Sequence, residues 1–168
     1  HPWEVGVVGG GPAGLAAGLQ RARAGRRTVL VERGSMGGQA RRIESIENLP
    51  GWPGGVSGRS LMSLWERQAR GWGLKPVRGE VVSLRGRAGA FSVSLSDGRL
   101  LAARAVVLAP GARFKTLGIP GERRLFGKGV QHGAFDDAPR WLGRVVAVIG
   151  GGSNGSTIIG RLLGSRGS

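Results

Sequence analysis

Three glycines and one glutamate near the start of the chain have the spacing of a dinucleotide-binding loop. Gly9, Gly11 and Gly14 form the pattern GxGxxG between an apolar run at residues 5–8 and a second apolar run at residues 29–31, which ends at Glu32. A glycine loop that opens a helix directs backbone N–H groups at a pyrophosphate, and an acid about 20 residues further on accepts hydrogen bonds from a ribose. Glu32 lies 18 residues after Gly14, so the segment predicts a complete βαβ dinucleotide site.

Each motif glycine has its own predicted task. Gly9 permits the tight turn out of the first strand, Gly11 lets the backbone approach a pyrophosphate, and Gly14 lets the helix pack closely on the sheet. We also count as cofactor-binding residues the helix-opening pair Pro12 and Ala13, together with Arg33, which follows the acid. The alternatives are a glycine-rich turn without a ligand and, for Glu32, a solvated acid at a strand end.

A second glycine motif follows another apolar run near the other end of the chain. Residues 144–149 predict a buried strand, Gly150, Gly152 and Gly155 repeat the GxGxxG pattern, and residues 156–163 predict an apolar helix. Two such motifs imply two dinucleotides. Only 13 residues follow Gly155, so we expect this second dinucleotide-binding domain to be incomplete, without the strand that would carry its ribose-binding residue.

The segment between the two motifs predicts elements of a sheet and one more helix. Residues 33–57 form a long loop with six Gly, two Pro and one Trp, which is typical of a binding loop. Residues 60–72 predict a helix. Residues 77–84, 90–95 and 100–108 predict strands, with Ser96, Asp97 and Gly98 as a hairpin turn. The fold class is therefore α/β, a Rossmann-like FAD/NAD(P)-binding fold whose parallel sheet carries a β-meander. Residues 1–112 would form the first domain, and residues 113–168 the start of the second.

Composition excludes several classes of function. The chain has no cysteine, hence no disulfide, thiolate metal site or dithiol centre, and its two histidines are far apart, so no metal site is predicted. The net charge is +15, but the basic residues, 22 of 25 of them Arg, are scattered, so no nucleic-acid partner is predicted. A basic nucleic-acid-binding or interaction protein on this scaffold, supported only by charge, remains an alternative. No apolar stretch of about 20 residues and no signal pattern is present, which predicts a cytoplasmic protein without a membrane partner.

The order of the motifs resembles the low-molecular-weight thioredoxin reductase family and, more broadly, the two-dinucleotide flavoprotein reductases. The matching segments are GGGPAG at residues 9–14, GGQ at 37–39, ENLPG at 47–51, a Pro-Gly turn at 110–111 and GGG at 150–152. The resemblance implies FAD at the first motif and NAD(P)H at the second, in a domain inserted into the FAD domain. It also places Gly38, Gln39 and Asn48 against the flavin, and Gly111 at the turn that leaves the FAD domain. A turn and a cap are the alternative role of these loop residues.

The chain departs from the family at three points. Pro110 stands where the family has Thr, the family's C-terminal Gly-Asp segment has no counterpart, and Gly133 and Asp136 occupy the positions of the Cys-x-x-Cys thiols. Neither Gly nor Asp can pass electrons as a dithiol. The resemblance therefore implies an FAD-dependent NAD(P)H oxidoreductase whose acceptor is not a dithiol-relayed disulfide, similar to ferredoxin or flavodoxin NADP reductases. The alternatives are an inactive truncated fragment or a thioredoxin reductase homologue in name only.

The sequence says less about partners and catalytic side chains than about the cofactors. The resemblance implies a small redox protein or a small-molecule electron acceptor as partner, and a homodimer for the full-length protein. The sequence assigns no catalytic acid or base. His132, Asp136 and Asp137 either lie near the flavin or nicotinamide, where they would gate proton transfer, or are surface-loop residues.

Overall fold

The computed structural model describes residues 1–132, 141, 143–152 and 159–160. The chain divides into two compact units, His1–Gly111 and Ala112–Ser168. Among the described residues, no helix is long and apolar enough to cross a membrane.

Unit 1 contains a six-stranded sheet with two helices and one short 3-10 helix. Its elements in chain order are β1 (Trp3–Val8), α1 (Pro12–Arg23), β2 (Thr28–Glu32), the 3-10 helix (Gly38–Arg42), α2 (Gly58–Gly71), β3 (Lys75–Arg78), β4 (Val81–Arg87), β5 (Ala90–Leu95) and β6 (Leu100–Leu108). The strand order is β3-β2-β1-β6-β5-β4. Strands β3, β2, β1 and β6 are parallel, whereas β4, β5 and β6 form an antiparallel meander. This confirms the predicted α/β class and Rossmann-like fold.

The two helices begin where local chemistry favours a helix start. α1 begins after Gly11 with Pro12 at its first position, where a missing N–H costs nothing and the fixed φ suits a helix. α2 begins after Ser57, whose Oγ accepts a hydrogen bond from the Ser60 amide at 3.1 Å. The buried residues of the two helices pack together against one face of the sheet.

The sheet is covered on both faces because successive apolar side chains of its central strands point to opposite faces. Leu30 and Val7 belong to the core on the helix side, together with Leu15 of α1 and Met62 of α2. Val31, the neighbour of Leu30 in β2, packs instead in a second core with residues of the meander, chiefly Val93 and Leu95. The meander thus folds back over the face of the sheet opposite the helices.

The single strand predicted over residues 77–84 is wrong, because the structure divides it into β3 and β4. These strands lie at opposite edges of the sheet, yet only Gly79 and Glu80 join them. The connection spans at most about 11 Å between Cα atoms, whereas the edges of a flat six-stranded sheet are about 24 Å apart. The sheet therefore curls until its two edges approach each other at this connection. The Gly79 amide donates to the Glu32 carbonyl at 3.0 Å, and the Ser96 amide donates to the Glu80 carbonyl at 2.8 Å.

Unit 2 has little regular structure in the part that is described. It contains α3 (Glu122–Leu125) and an isolated bridge between Phe126 and Val130. The strand predicted over residues 144–149 is wrong, because these residues form no strand and Val145 is fully exposed. A strand needs a hydrogen-bonded neighbour, and no strand pairs with this run among the residues described. Of the predicted helix at 156–163, only residues 159–160 are described, and both are helical.

Candidate functional site

The first glycine turn is locked between the ends of β1 and β6. Gly9 has φ +103°, and its amide donates to the Val31 carbonyl at 2.9 Å. A Cβ on Gly9 would lie 2.1 Å from the Ala109 carbonyl oxygen, an impossible contact with backbone. Both the backbone angle and the available space therefore require glycine here.

Gly14 allows the first turn of α1 to rest directly on this glycine turn. A Cβ on Gly14 would lie 1.8 Å from the Gly9 carbonyl oxygen and 3.5 Å from Cγ1 of Val7. The sequence predicted close packing of the helix on the sheet, and the structure shows that the tightest contact is with the turn itself. The position of the helix N-terminus is thereby fixed relative to Gly9.

Gly11 differs from the other two motif glycines because the fold itself does not require it. Its φ of −71° suits any residue, and a Cβ would have only the Gly38 Cα nearby, at 4.0 Å. The space in front of Gly11 is therefore open, directly at the N-terminus of α1. The first-turn amides of a helix have no intrahelical acceptor, so a pyrophosphate fits the open space as a ligand.

Glu32 is held in place by two backbone amides. Its Oε2 accepts a hydrogen bond from the Gly10 amide at 2.7 Å, and its Oε1 accepts one from the Gly34 amide at 2.8 Å. Each carboxylate oxygen has two lone pairs, so both oxygens retain acceptor capacity for a ribose hydroxyl. The geometry fits the predicted ribose contact, because the carboxylate is fixed close to the glycine turn.

Gly10 is a further residue of this candidate site that the sequence did not single out. It is buried, and a Cβ would lie 2.5 Å from Sδ of Met36 and 2.9 Å from Cβ of Glu32. Its carbonyl accepts a hydrogen bond from the Gly37 amide at 2.7 Å. The available signal was the run of three glycines where the motif requires only two. Gly10 allows Glu32 and the following loop to approach the turn.

The loop after β2 brings Gly38 against the glycine turn. Gly37 and Gly38 have φ values of +111° and +54°, and a Cβ on Gly38 would lie 3.0 Å from the Gly11 Cα. The same Cβ on Gly38 would lie 3.9 Å from Cδ of Pro12. The structure thus brings together three predicted cofactor-binding residues, Gly11, Pro12 and Gly38.

The remaining predicted residues of unit 1 lie further along the same loops. Gln39 is exposed in the 3-10 helix and Asn48 is exposed in the following loop. The loop around Asn48 is closed by paired backbone hydrogen bonds between Ile46 and Val56, at 2.8 and 3.1 Å. Ala13 is exposed in the first turn of α1, and Gly111, with φ +72°, is exposed at the end of the unit.

A cavity of about 420 Å³ lies beside Glu32. Its wall includes Met36 and three arginines, Arg41, Arg70 and Arg78. Arg70 is committed to Glu66, with Nη2 and Oε1 2.7 Å apart. Arg33, which the sequence placed at the cofactor, forms an exposed ion pair with Glu80 at 3.5 Å. The lining also includes Glu32 and Glu66, so Arg41 and Arg78 are the cations that suit an anionic ligand continuing from the glycine turn.

The second glycine motif is not built in the same way. Gly150 has φ +111°, similar to Gly9, but a Cβ there or on Gly152 would meet nothing within 4 Å. Gly155, Gly133, Asp136 and Asp137 lie outside the described residues. The nicotinamide site at Gly150, Gly152 and Gly155 stays a prediction.

His132 belongs to a hydrogen-bonded cluster centred on Glu122. The buried Glu122 carboxylate accepts hydrogen bonds from the amides of Leu117 at 3.0 Å and Gly118 at 2.8 Å, and its Oε1 lies 2.9 Å from Nε2 of His132. The Leu117 amide in particular, with His132 and Gly118, holds the pKa of Glu122 below its usual value. Phe114 and Phe126 pack near the His132 ring, with centroids 6.2 and 5.1 Å away.

Comparisons with known proteins show which family and which fold the chain resembles. A family described as pyridine nucleotide-disulphide oxidoreductase matches residues 3–160. The chain is 37% identical over 150 residues to the thioredoxin reductase of Treponema pallidum, covering 89% of this chain and 48% of that protein. It is 41% identical over 153 residues to the bifunctional thioredoxin reductase/thioredoxin of Mycobacterium leprae, covering 90% of this chain and 33% of that protein.

A solved structure shows the same likeness. The thioredoxin reductase of T. acidophilum superposes with a TM-score of 0.77 at 28% identity, covering 96% of this chain and 52% of that chain. The chain thus spans about half the length of the first relatives it matches. These likenesses confirm the predicted resemblance.

Proposed function

Because this chain belongs to the pyridine nucleotide-disulphide oxidoreductase family, we propose that unit 1 binds FAD at the glycine turn and that the protein oxidises NAD(P)H through the flavin. When bound, a flavin supplies the site that accepts a hydride and passes electrons on. The observation that carries the proposal is Gly11, a glycine that the fold does not require and that faces open space at a helix N-terminus.

The predicted cofactor-binding residues of the two units have separate roles in this proposal. The first-turn amides of α1 bind the pyrophosphate, and the open space at Gly11 lets the pyrophosphate approach these amides. Glu32, held by the Gly10 and Gly34 amides, accepts hydrogen bonds from the adenosine ribose. Gly38, Gln39 and Asn48 contact the flavin end, and Gly150, Gly152 and Gly155 bind the nicotinamide dinucleotide.

The acceptor in this proposal is not a disulfide reduced by a dithiol in this chain. The 168 residues of the sequence include no cysteine, so they hold no thiol pair that could take electrons from a flavin. A small redox protein or a small-molecule acceptor takes that place. Reduction of thioredoxin is the second candidate, because the relatives from T. pallidum and M. leprae are named as thioredoxin reductases.

Titration of the protein with FAD tests the cofactor site. Replacing Gly11 with Val fills the open space, so we expect the Kd for FAD to rise at least about tenfold. Gly71→Val is the matched control, because a Cβ on Gly71 meets nothing within 4 Å and Gly71 lies at the end of α2, away from the proposed site. Equal affinity of the two variants would contradict the proposed site.

Turnover measurements test the acceptor. With NAD(P)H as donor, we expect the whole protein to reduce a one-electron dye or a quinone and to show no turnover when thioredoxin is the only acceptor. Flavin-dependent turnover with thioredoxin would instead support the second candidate. Absence of any flavin binding would favour an inactive member of the family.

A further inference from the structure

The outward face of the meander carries three arginines in two adjacent rows. Arg87 pairs with Ala90, and the register of β5 with β6 places Arg104 on the other side of Ala90. Arg85 pairs with Ser92, which in turn pairs with Ala102. We call Arg85, Arg87 and Arg104 the arginine platform.

The platform points away from the core of unit 1. Side chains alternate along a strand, and the residues adjacent in sequence point inward, as shown by Val93 and Ala103, each 2% exposed. The three arginines are exposed, and the floor between them consists of Ala90, Ser92 and Ala102, which are also exposed. Small side chains on the floor leave the guanidinium groups accessible from one direction.

The charges of the platform are not compensated. Within the described ranges, none of the three arginines forms an ion pair. The acids nearest in sequence, Glu80 and Asp97, are paired with Arg33 and Arg99. The three cations lie on one face, with the small side chains of β5 between β4 and β6, and an anionic surface that covers the platform would offset their mutual repulsion.

We propose that the arginine platform is a docking surface for the acidic face of another protein. Two exposed aliphatic side chains, Leu100 at 68% and Val82 at 62% exposure, lie on the same strands. Arginine is among the residue types that are enriched at protein interfaces. A surface for single-stranded nucleic acid would carry aromatic residues for base stacking, and the outward positions of the meander carry none. Burial against an apolar surface would leave three cations unpaired.

The experiment measures binding of a labelled polyglutamate peptide to the 168-residue chain by fluorescence anisotropy. We expect the triple variant R85Q/R87Q/R104Q to raise the Kd about tenfold, as loss of three charge contacts requires. The charge-matched control R21Q/R23Q/R67Q removes three exposed helical arginines and should change the Kd by less than about twofold. A third variant, R85K/R87K/R104K, keeps the charge and should retain most of the affinity.

Two results would overturn the proposal. One is an equal loss of peptide affinity in both glutamine triples, which would show a response to net charge alone. The other is a greater platform-dependent loss for a single-stranded oligonucleotide of matched charge, or for vesicles containing phosphatidylserine, than for the peptide. Retained affinity in the lysine variant also shows that substitution at these positions does not unfold the sheet. The proposal does not depend on FAD binding, since no step of the test uses the flavin.

Discussion

The two glycine motifs of the chain share the pattern GxGxxG but differ in their structural surroundings. Gly9 and Gly150 both have a positive φ, +103° and +111°. A Cβ on Gly9 would collide with the Ala109 carbonyl, whereas a Cβ on Gly150 would meet nothing within 4 Å. The first motif directly follows β1, which pairs with β6. The residues that precede the second motif form no strand.

This contrast separates what a motif specifies from what a site requires. The motif specifies a backbone conformation, which both regions adopt at their first glycine. The site also requires neighbouring strands and a packed helix that hold this conformation in place. In unit 1 those neighbours are β2 and β6, on either side of β1.

The largest expected effect comes from alanine at the two first glycines. Gly9→Ala introduces both backbone strain and a collision with fixed backbone, so we expect unit 1 to lose about 3 kcal/mol or more of unfolding free energy. Gly150→Ala introduces only the strain, about 1 kcal/mol. Urea denaturation followed by tryptophan fluorescence measures both. Similar losses in the two variants would mean that the surroundings of Gly9 do not matter.

A smaller effect is expected from Glu32→Gln, which tests how unit 1 holds its acid. One carboxylate oxygen becomes an NH₂ group facing a backbone amide, so we expect a loss of about 2 kcal/mol in unit 1. Glu66→Gln is the control, since it breaks only the exposed pair with Arg70, worth about 0.5 kcal/mol. Urea denaturation again gives the difference, and a change at Glu32 no larger than at Glu66 would contradict the two-amide geometry.

In unit 2 the Glu122 carboxylate binds the Leu117 and Gly118 amides. We expect protonation of Glu122 to change the structure only around these residues. The lowered pKa of Glu122 means that its ionised form is stabilised by folding, so this contribution is present at neutral pH and is lost as the pH falls through the lowered pKa. An NMR titration of the Leu117 and Gly118 amides should therefore show a midpoint below that of an ordinary glutamate. The Glu122→Gln variant should abolish this transition, and its persistence would assign the transition to another group.

The smallest effect on stability is expected from Gly11→Ala. Its φ suits alanine and the added Cβ stays 4.0 Å from its nearest neighbour, so the unfolding free energy without FAD should change by less than about 0.5 kcal/mol. Thermal denaturation of the cofactor-free protein measures this. A loss comparable with that of Gly9→Ala would show that Gly11 serves the fold and not a ligand.

Much of unit 1 could be predicted because its signals are local. The alternation and hairpin turn of residues 90–108 predicted β5 and β6 at the bounds that the structure shows. The division of residues 77–84 could not be predicted in this way, because β3 and β4 differ in their partners and not in their composition. Only the position of β2 on one side and β5 on the other divides the run at Gly79.

The site shows the same limit. The motif predicted Gly9, Gly11 and Gly14, since each has a role that depends on short spacing. Gly10 was missed because the structure requires glycine there only through the close approach of Met36 and Glu32. Both residues lie more than 20 positions away in sequence. The strand at 144–149 was predicted from an apolar run that precedes a glycine motif, although a strand exists only where another strand pairs with it.

The position of β6 also determines when the glycine turn can form during synthesis. β6 is the last strand of unit 1 in the chain, yet it lies beside β1, and Ala109 supplies the carbonyl that closes on Gly9. Until residue 109 has left the ribosome, β1 has an unpaired edge that other chains can join. The earliest motif in the sequence therefore reaches its final geometry only after the last strand of unit 1 has been made. Long-range pairing of this kind predicts slower folding than local pairing does.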